Sequence, residues 1–272
     1  MECKVKDITF YYEEYGIGHP LLLLHGWPLD HRYMCYDFEP IFSKREGWRR
    51  IYPDLPGMGK TRAADWITRQ DQMLEIVLDF METIAPGENF TVAGASYGGY
   101  LARGIVHQRG SRLNGMMISV PAVEVDPGKK ALPEHRVIHE DAAFLAAITP
   151  EEQDISEVLT AQSMDILPVI RECYLPAFAI ADHEFLGRLE QSYAFTFDVD
   201  SLAQPFPAPA LILTGRFDHM CGYQDAYRLL NNYPRATFAV LDRAGHALPL
   251  EQKPLFQALT GEWLDRVEEY IS

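Results

Sequence analysis

Two hydrophobic patterns alternate along the chain. Residues 21–24, 90–93, 113–120 and 210–213 form short, nearly uninterrupted apolar runs. Such runs mark strands buried on both faces inside a parallel sheet. Residues 50–53 and 237–241 read as further strands, and Val5, Ile8, Phe10 and Tyr12 as one or two amphipathic opening strands before a turn at Gly16 and Gly18. Between the runs, apolar residues recur every three or four positions, the spacing of one helix face. Met73, Leu74, Val77, Leu78 and Met81 carry this spacing within residues 67–84. Helices are also predicted over 30–45, 100–107, 224–231 and 256–270. The fold class expected from this alternation is α/β: a mostly parallel central sheet flanked by helices.

The alternation stops in the middle of the chain. Residues 122–204 carry helix-spaced groups (Phe144, Leu145 and Ile148; Ile155, Val158 and Leu159) and read as mostly helical. Pro205, Pro207 and Pro209 punctuate the return to strands. The predicted organisation is a core of residues 1–121 and 205–272 interrupted by a helical cap, residues 122–204. Composition reinforces this division. The formal net charge is −15, and the stretch from Pro121 to Pro205 holds sixteen acidic but only five basic side chains. A chain this acidic lacks the basic footprint that binds phosphate backbones, so neither nucleic acid nor an anionic membrane is expected as a partner. No apolar run approaches the roughly 20 residues needed to span a bilayer. The four cysteines form no CxxC pair, and the amino terminus has no signal-peptide core, so a cytoplasmic setting is expected.

Candidate chemistry lies at the turns that end the strands. Gly94-Ala95-Ser96-Tyr97-Gly98 is a G-x-S-x-G sequence between a predicted strand and a predicted helix. A sharp turn in that context lifts one hydroxyl above the sheet, and its neighbours must be small because backbone passes close by. Gly94 and Gly98 meet that need. The helix amino terminus behind Ser96 offers free N–H groups.

With these residues in view, the chain resembles the α/β-hydrolase superfamily along nearly its whole length, and in particular its serine members with an HGWP sequence. His25-Gly26-Trp27-Pro28 looks like the family's oxyanion loop and Asp54-Leu55-Pro56-Gly57-Met58-Gly59 like its D-x-x-G-x-G loop. Thr214-Gly215-Arg216-Phe217-Asp218 looks like the acid-bearing loop and Ala244-Gly245-His246 like the histidine loop. The resemblance implies Ser96 as nucleophile, His246 as its base and Asp218 as the acid orienting that base. It also implies an oxyanion hole made by the backbone N–H groups of Trp27 and Tyr97, with no cofactor and no metal. Glu124 and Asp126 stand where some family members place the acid; Asp218 is the preferred candidate. Haloalkane dehalogenases and epoxide hydrolases place Asp at the elbow, where this chain has Ser96.

The function so implied is a cofactor-independent serine hydrolase of small to medium carboxylic esters working through an acyl-enzyme. The acidic cap leads us to expect neutral or cationic substrates. A prolyl-type aminopeptidase, a hydrolase of other C–N or C–C bonds, and a slowly turning-over ligand receptor on the same fold are the rival readings. A monomer and a homodimer are both compatible with the sequence. Other residues are read as structural. His25 is expected to brace the oxyanion loop, His219 to face solvent, and Asp225 and Asp242 to be surface carboxylates. Cys221 is read as a small buried hydrophobe, and His135 and His139 as a surface pair on one helix face. Gly59-Lys60-Thr61 mimics the end of a phosphate-binding loop, but Asp54 stands where that loop requires glycine.

Overall fold

A computed structural model describes all 272 residues. Eight strands form one sheet: β1 (Glu2–Val5), β2 (Ile8–Tyr15), β3 (His19–Leu24), β4 (Trp48–Pro53), β5 (Phe90–Ala95), β6 (Leu113–Ser119), β7 (Ala210–Gly215) and β8 (Ala236–Leu241). Their spatial order is β1-β2-β4-β3-β5-β6-β7-β8. The first two strands pair antiparallel, as do β2 and β4, and every later pairing is parallel. The α/β architecture expected from the hydrophobic pattern is therefore the one observed.

The run of four leucines in β3 shows how the sheet is held. Leu22 and Leu24 face one apolar layer, which also contains Phe10, Phe80 and Ile212. Leu21 and Leu23 face the opposite layer, with Phe256, Trp263 and Leu211. Successive strand residues point to opposite faces, so burial on both sides demands an unbroken apolar run. All four leucines are fully buried, each contributing about 1.5–3 kcal/mol. The helices α1 (His31–Phe42), α2 (Gln70–Ile84) and α3 (Tyr97–Arg109) follow β3, β4 and β5. α1 begins at Asp30, whose side chain accepts from the Arg32 N–H as an amino-terminal cap. The loops leaving β3, β5, β7 and β8 emerge at one edge of the parallel sheet, where open α/β sheets place their ligand sites.

No strand lies between β6 and β7. In that interval the structure departs from the sequence expectation of a mostly helical segment. Residues 122–141 contain no helix. Pro127 and Pro133 each remove an N–H donor and turn the preceding residue away from helical geometry. Helices α4 (Ala142–Ala147) and α5 (Pro150–Glu157) follow. A helical run over 164–180 has a π-helical turn at Ile170–Tyr174, and the helix His183–Glu190 comes next. The insert carries a small apolar cluster of its own, including Phe144, Ile155, Leu159 and Ile170. It is tied back to the core by Arg103 of α3. This fully buried guanidinium donates to both carboxylate oxygens of Asp200, at 3.0 and 2.6 Å, and to the Ala122 carbonyl at 2.9 Å. No helix is long and apolar enough to cross a membrane.

Candidate active site

Ser96 stands between β5 and α3 with φ 52° and ψ −112°. A residue with a Cβ is strained there by about 1–3 kcal/mol. The surrounding hydrogen bonds hold it: its N–H donates to Ser119 O at 2.9 Å, and its carbonyl accepts from Tyr100 and Ala122. Two glycines make the turn possible. A Cβ on Gly94 would lie 2.2 Å from the Gly98 carbonyl oxygen, and one on Gly98 would lie 2.1 Å from that of Leu24. Both obstacles are backbone and cannot rotate away. We therefore expect Gly98→Ala to destabilise the protein by about 3 kcal/mol or more, read as a lowered denaturation midpoint together with lost activity.

The loops after β7 and β8 bring two further side chains to the elbow. His246 Nε2 lies 3.0 Å from Ser96 Oγ, and His246 Nδ1 lies 3.1–3.2 Å from both carboxylate oxygens of Asp218. Asp218 is fully buried and also accepts the Met220 and Cys221 N–H groups, each at 3.0 Å. Burial pushes its carboxyl pKa up, but His246 and those two amides outweigh burial and hold it below the usual value. For His246 burial favours the neutral ring, yet the Asp218 charge and the nearby Cys221 carry its pKa well above 6.5. With Nδ1–H given to the carboxylate, Nε2 is the ring's acceptor and faces the serine hydroxyl.

The loop after β3 packs directly on the serine. A Cβ on Gly26 would sit 3.3 Å from Ser96 Cβ and 4.0 Å from Oγ. The Trp27–Pro28 peptide bond is cis. His25 braces this loop as expected: it is fully buried, its Nδ1 donates to Gly26 O at 2.9 Å, and its Nε2 accepts from Leu55 N–H at 3.0 Å. Burial keeps it neutral by lowering its pKa. The Trp27 N–H finds no acceptor within the protein. Tyr97 is the first residue of α3, so its N–H has no intrahelical partner. The Tyr97 ring is buried edge-on against Trp27, at 5.1 Å between centroids, and its hydroxyl donates to Gln70 Oε1.

Ser96 and His246 open into a cavity of about 500 Å³, a volume suited to a small organic ligand. Its walls are mostly apolar and come from both core and insert, with Tyr174, Phe178 and Tyr193 contributed by the insert. Among its charged lining residues, Glu124, Asp154 and Glu190 face a single cation, Lys130. Lys130 Nζ donates to Met220 O at 3.0 Å.

Residues 21–257 match the model of a family described as the alpha/beta hydrolase family. The chain belongs to that family. The hydrolase is similar over 98% of its length to the crystal structure of an alpha/beta superfamily hydrolase from Oenococcus oeni PSU-1, with 28% identity, 99% of that chain covered and a TM-score of 0.88. It is 23% identical over 268 residues to the AB hydrolase superfamily protein YisY of Bacillus subtilis, covering 95% of this chain and 96% of that one. It is also 24% identical over 263 residues to a pimeloyl-[acyl-carrier protein] methyl ester esterase of Legionella pneumophila (strain Corby), covering 94% of this chain and all of that one.

Several positions in the hydrolase differ from their sequence expectation. His135 and His139 do not share a helix. His139 forms an isolated bridge with Ala161, and the His135 ring packs on His219 at 4.5 Å. His219 is accordingly half-buried rather than solvent-facing. Asp225 is buried, accepting the Ala131 N–H at 2.8 Å, and not a surface carboxylate. Glu124 lines the cavity wall and pairs with Arg228 at 3.4 Å, while its neighbour Asp126 is half exposed and pairs with Lys129. Cys221 is buried as expected, but it also lines the cavity beside His246. Two trios, Asp218–Cys221–His246 and Asp30–His31–Asp54, place ligand-type atoms within 4.8 Å of one another. In each, the histidine is already hydrogen-bonded to a carboxylate. The second trio was missed from the sequence. There the His31 ring and backbone N–H both donate to Asp54, which in turn receives the Lys60 N–H.

Proposed function

We propose that this hydrolase cleaves carboxylic esters of small to medium size through an acyl-serine intermediate. The observation carrying the reading is the continuous Ser96–His246–Asp218 array at the floor of an apolar cavity. The name of the methyl ester esterase relative supports the choice of an ester bond. His246 Nε2 takes the Ser96 proton as Oγ bonds to the substrate carbonyl carbon. The resulting oxyanion is received by the Trp27 and Tyr97 N–H groups, and losing one such donor costs about 2.7–4 kcal/mol of transition-state stabilisation. His246 then protonates the departing alkoxide as the carbon–oxygen bond breaks. Water next attacks the acyl-enzyme, with His246 again taking a proton and returning it to Ser96. We place this chemistry in the cytoplasm, a reading supported by the four cysteines, all of which are free.

The excess of carboxylates over cations around the cavity supports a preference for neutral and cationic substrates. Between matched esters differing only in one remote charge, we expect kcat/KM to be about tenfold or more lower for the anionic member at low ionic strength, with the gap narrowing as salt is added. Equal rates on the pair at low salt would exclude this preference. The same carboxylates would receive an ammonium group, so a proline amide belongs in the panel; cleavage of the amide without cleavage of a nitrophenyl ester would favour the aminopeptidase reading.

A further inference from the structure

Five residues beyond His246 a single carboxylate joins two parts of the molecule. Glu251 ends the short helix Leu248–Glu251. Its Oε2 accepts the Gly245 N–H at 2.5 Å, and its Oε1 accepts the N–H groups of Thr160 and Ala161 at 2.5 and 3.1 Å. The first donor adjoins His246, whereas the other two belong to the insert. The two segments touch closely, since a Cβ on Gly245 would lie 2.8 Å from Thr160 Oγ1 and 3.3 Å from Val158 O. Val158 is a cavity wall. On the far side, the Thr160 carbonyl accepts from Ile138 and His139, and Gln162 N–H donates to His139 O, so the contact extends into the loop preceding α4. Ala247, immediately after His246, packs into the insert's apolar cluster with Ile155 and Leu159.

We infer that Glu251 is a positioning residue that makes the seating of the insert over the cavity and the placement of His246 a single event. This rests on the reading of His246 as the catalytic base. The chemistry calls for a carboxylate. Three converging N–H donors need an acceptor with two oxygens, and a glutamine would turn its NH₂ group toward one of them.

Ionisation of this group bears on the same point. Burial pushes the Glu251 pKa up, the three amides pull it down and Asp218 raises it further, leaving it at about 7. The titratable groups that act on it are Asp218 from the acid loop and Tyr174 from the insert, and no lysine or arginine pairs with it. The protonated acid, like glutamine, offers one good acceptor fewer to the three donors.

The test is steady-state kinetics on a neutral nitrophenyl ester, with rates normalised to active sites titrated by a fluorophosphonate. Glu251→Gln is expected to lower kcat by roughly 10- to 100-fold per titrated site, the scale of a small misplacement of a catalytic group. In the unsubstituted enzyme the acid limb of log kcat should approach a slope of two, one proton each for His246 and Glu251. In Glu251→Gln it should fall to one. A simple loss of folded protein would reduce the number of titrated sites and leave both kcat per site and the slope unchanged, overturning the inference. A slope of one in the unsubstituted enzyme would overturn it even if the variant failed to fold. Ser96→Ala in parallel separates the two readings. An inert Ser96→Ala with a wild-type Glu251→Gln removes the role of Glu251 alone, whereas a fully active Ser96→Ala removes both.

Discussion

Replacing Ser96 by alanine is expected to lower kcat on a neutral aryl ester by about six orders of magnitude, and replacing His246 by alanine to cost about as much. Combining the two should make matters no worse. The reason lies in the 3.0 Å contact between His246 Nε2 and Ser96 Oγ. A serine hydroxyl without a base is a poor nucleophile near neutral pH, and a base without the hydroxyl has no proton to take. Residues that act as one unit lose their whole effect at the first deletion, so their costs do not add. The residual rate would come from the Trp27 and Tyr97 amides and from binding in the cavity. Fully additive losses would mean that the two side chains act in separate steps, contrary to the geometry.

Replacing Asp218 by asparagine should lower kcat by about 10⁴-fold at neutral pH and move the acid limb of the rate profile. Asparagine keeps the size of the side chain but can turn its NH₂ toward His246 Nδ1, favouring the tautomer whose Nε2 carries the proton and cannot accept from Ser96. The charge also matters. In the intact protein, burial pulls the His246 pKa down, but Asp218 carries it well above 6.5. A base with a raised pKa is lost at a higher pH as acid is added, so the wild-type limb should lie above 6.5. With that charge removed, the largest influence opposing burial is gone, only Cys221 still acts against it, and the limb moves to lower pH. The check is a pH–kcat series on both proteins. A variant limb in the same place as that of the wild type would show that Asp218 does not set the ionisation of His246.

Most of the fold was legible because a parallel sheet buried on both faces leaves little choice of residue. Leu21–Leu24 and Ala210–Leu213 are apolar at every position for that reason. Ser96 was legible because the turn that exposes it excludes a Cβ at Gly94 and Gly98, which forces glycine into the sequence. The insert was harder to read. Its apolar residues share helix spacing but serve a small cluster of their own, while Pro127 and Pro133 keep residues 122–141 out of any helix. The departures of His135, His139 and His219 from expectation follow from that error, since the extended chain carries His135 onto His219 and His139 onto Ala161. Asp225 and Glu251 were opaque for another reason. Each accepts backbone N–H groups from residues some ninety positions away, and a main-chain donor leaves no signature in a sequence. The pairing of His31 with Asp54 was hidden in the same way, by a separation of 23 residues.

The proposed reaction and the role given to Glu251 both depend on a bond formed transiently at Ser96. The most direct measurement is to quench the enzyme in acid during turnover of a slowly deacylated ester and locate the acyl group by peptide mass spectrometry. The mechanism predicts stoichiometric acylation at Ser96 in the wild type and in no other peptide, with acylation slowed by orders of magnitude in His246→Ala. Turnover at the wild-type rate with the acyl group on another residue, or with none on the protein at any time, would contradict it.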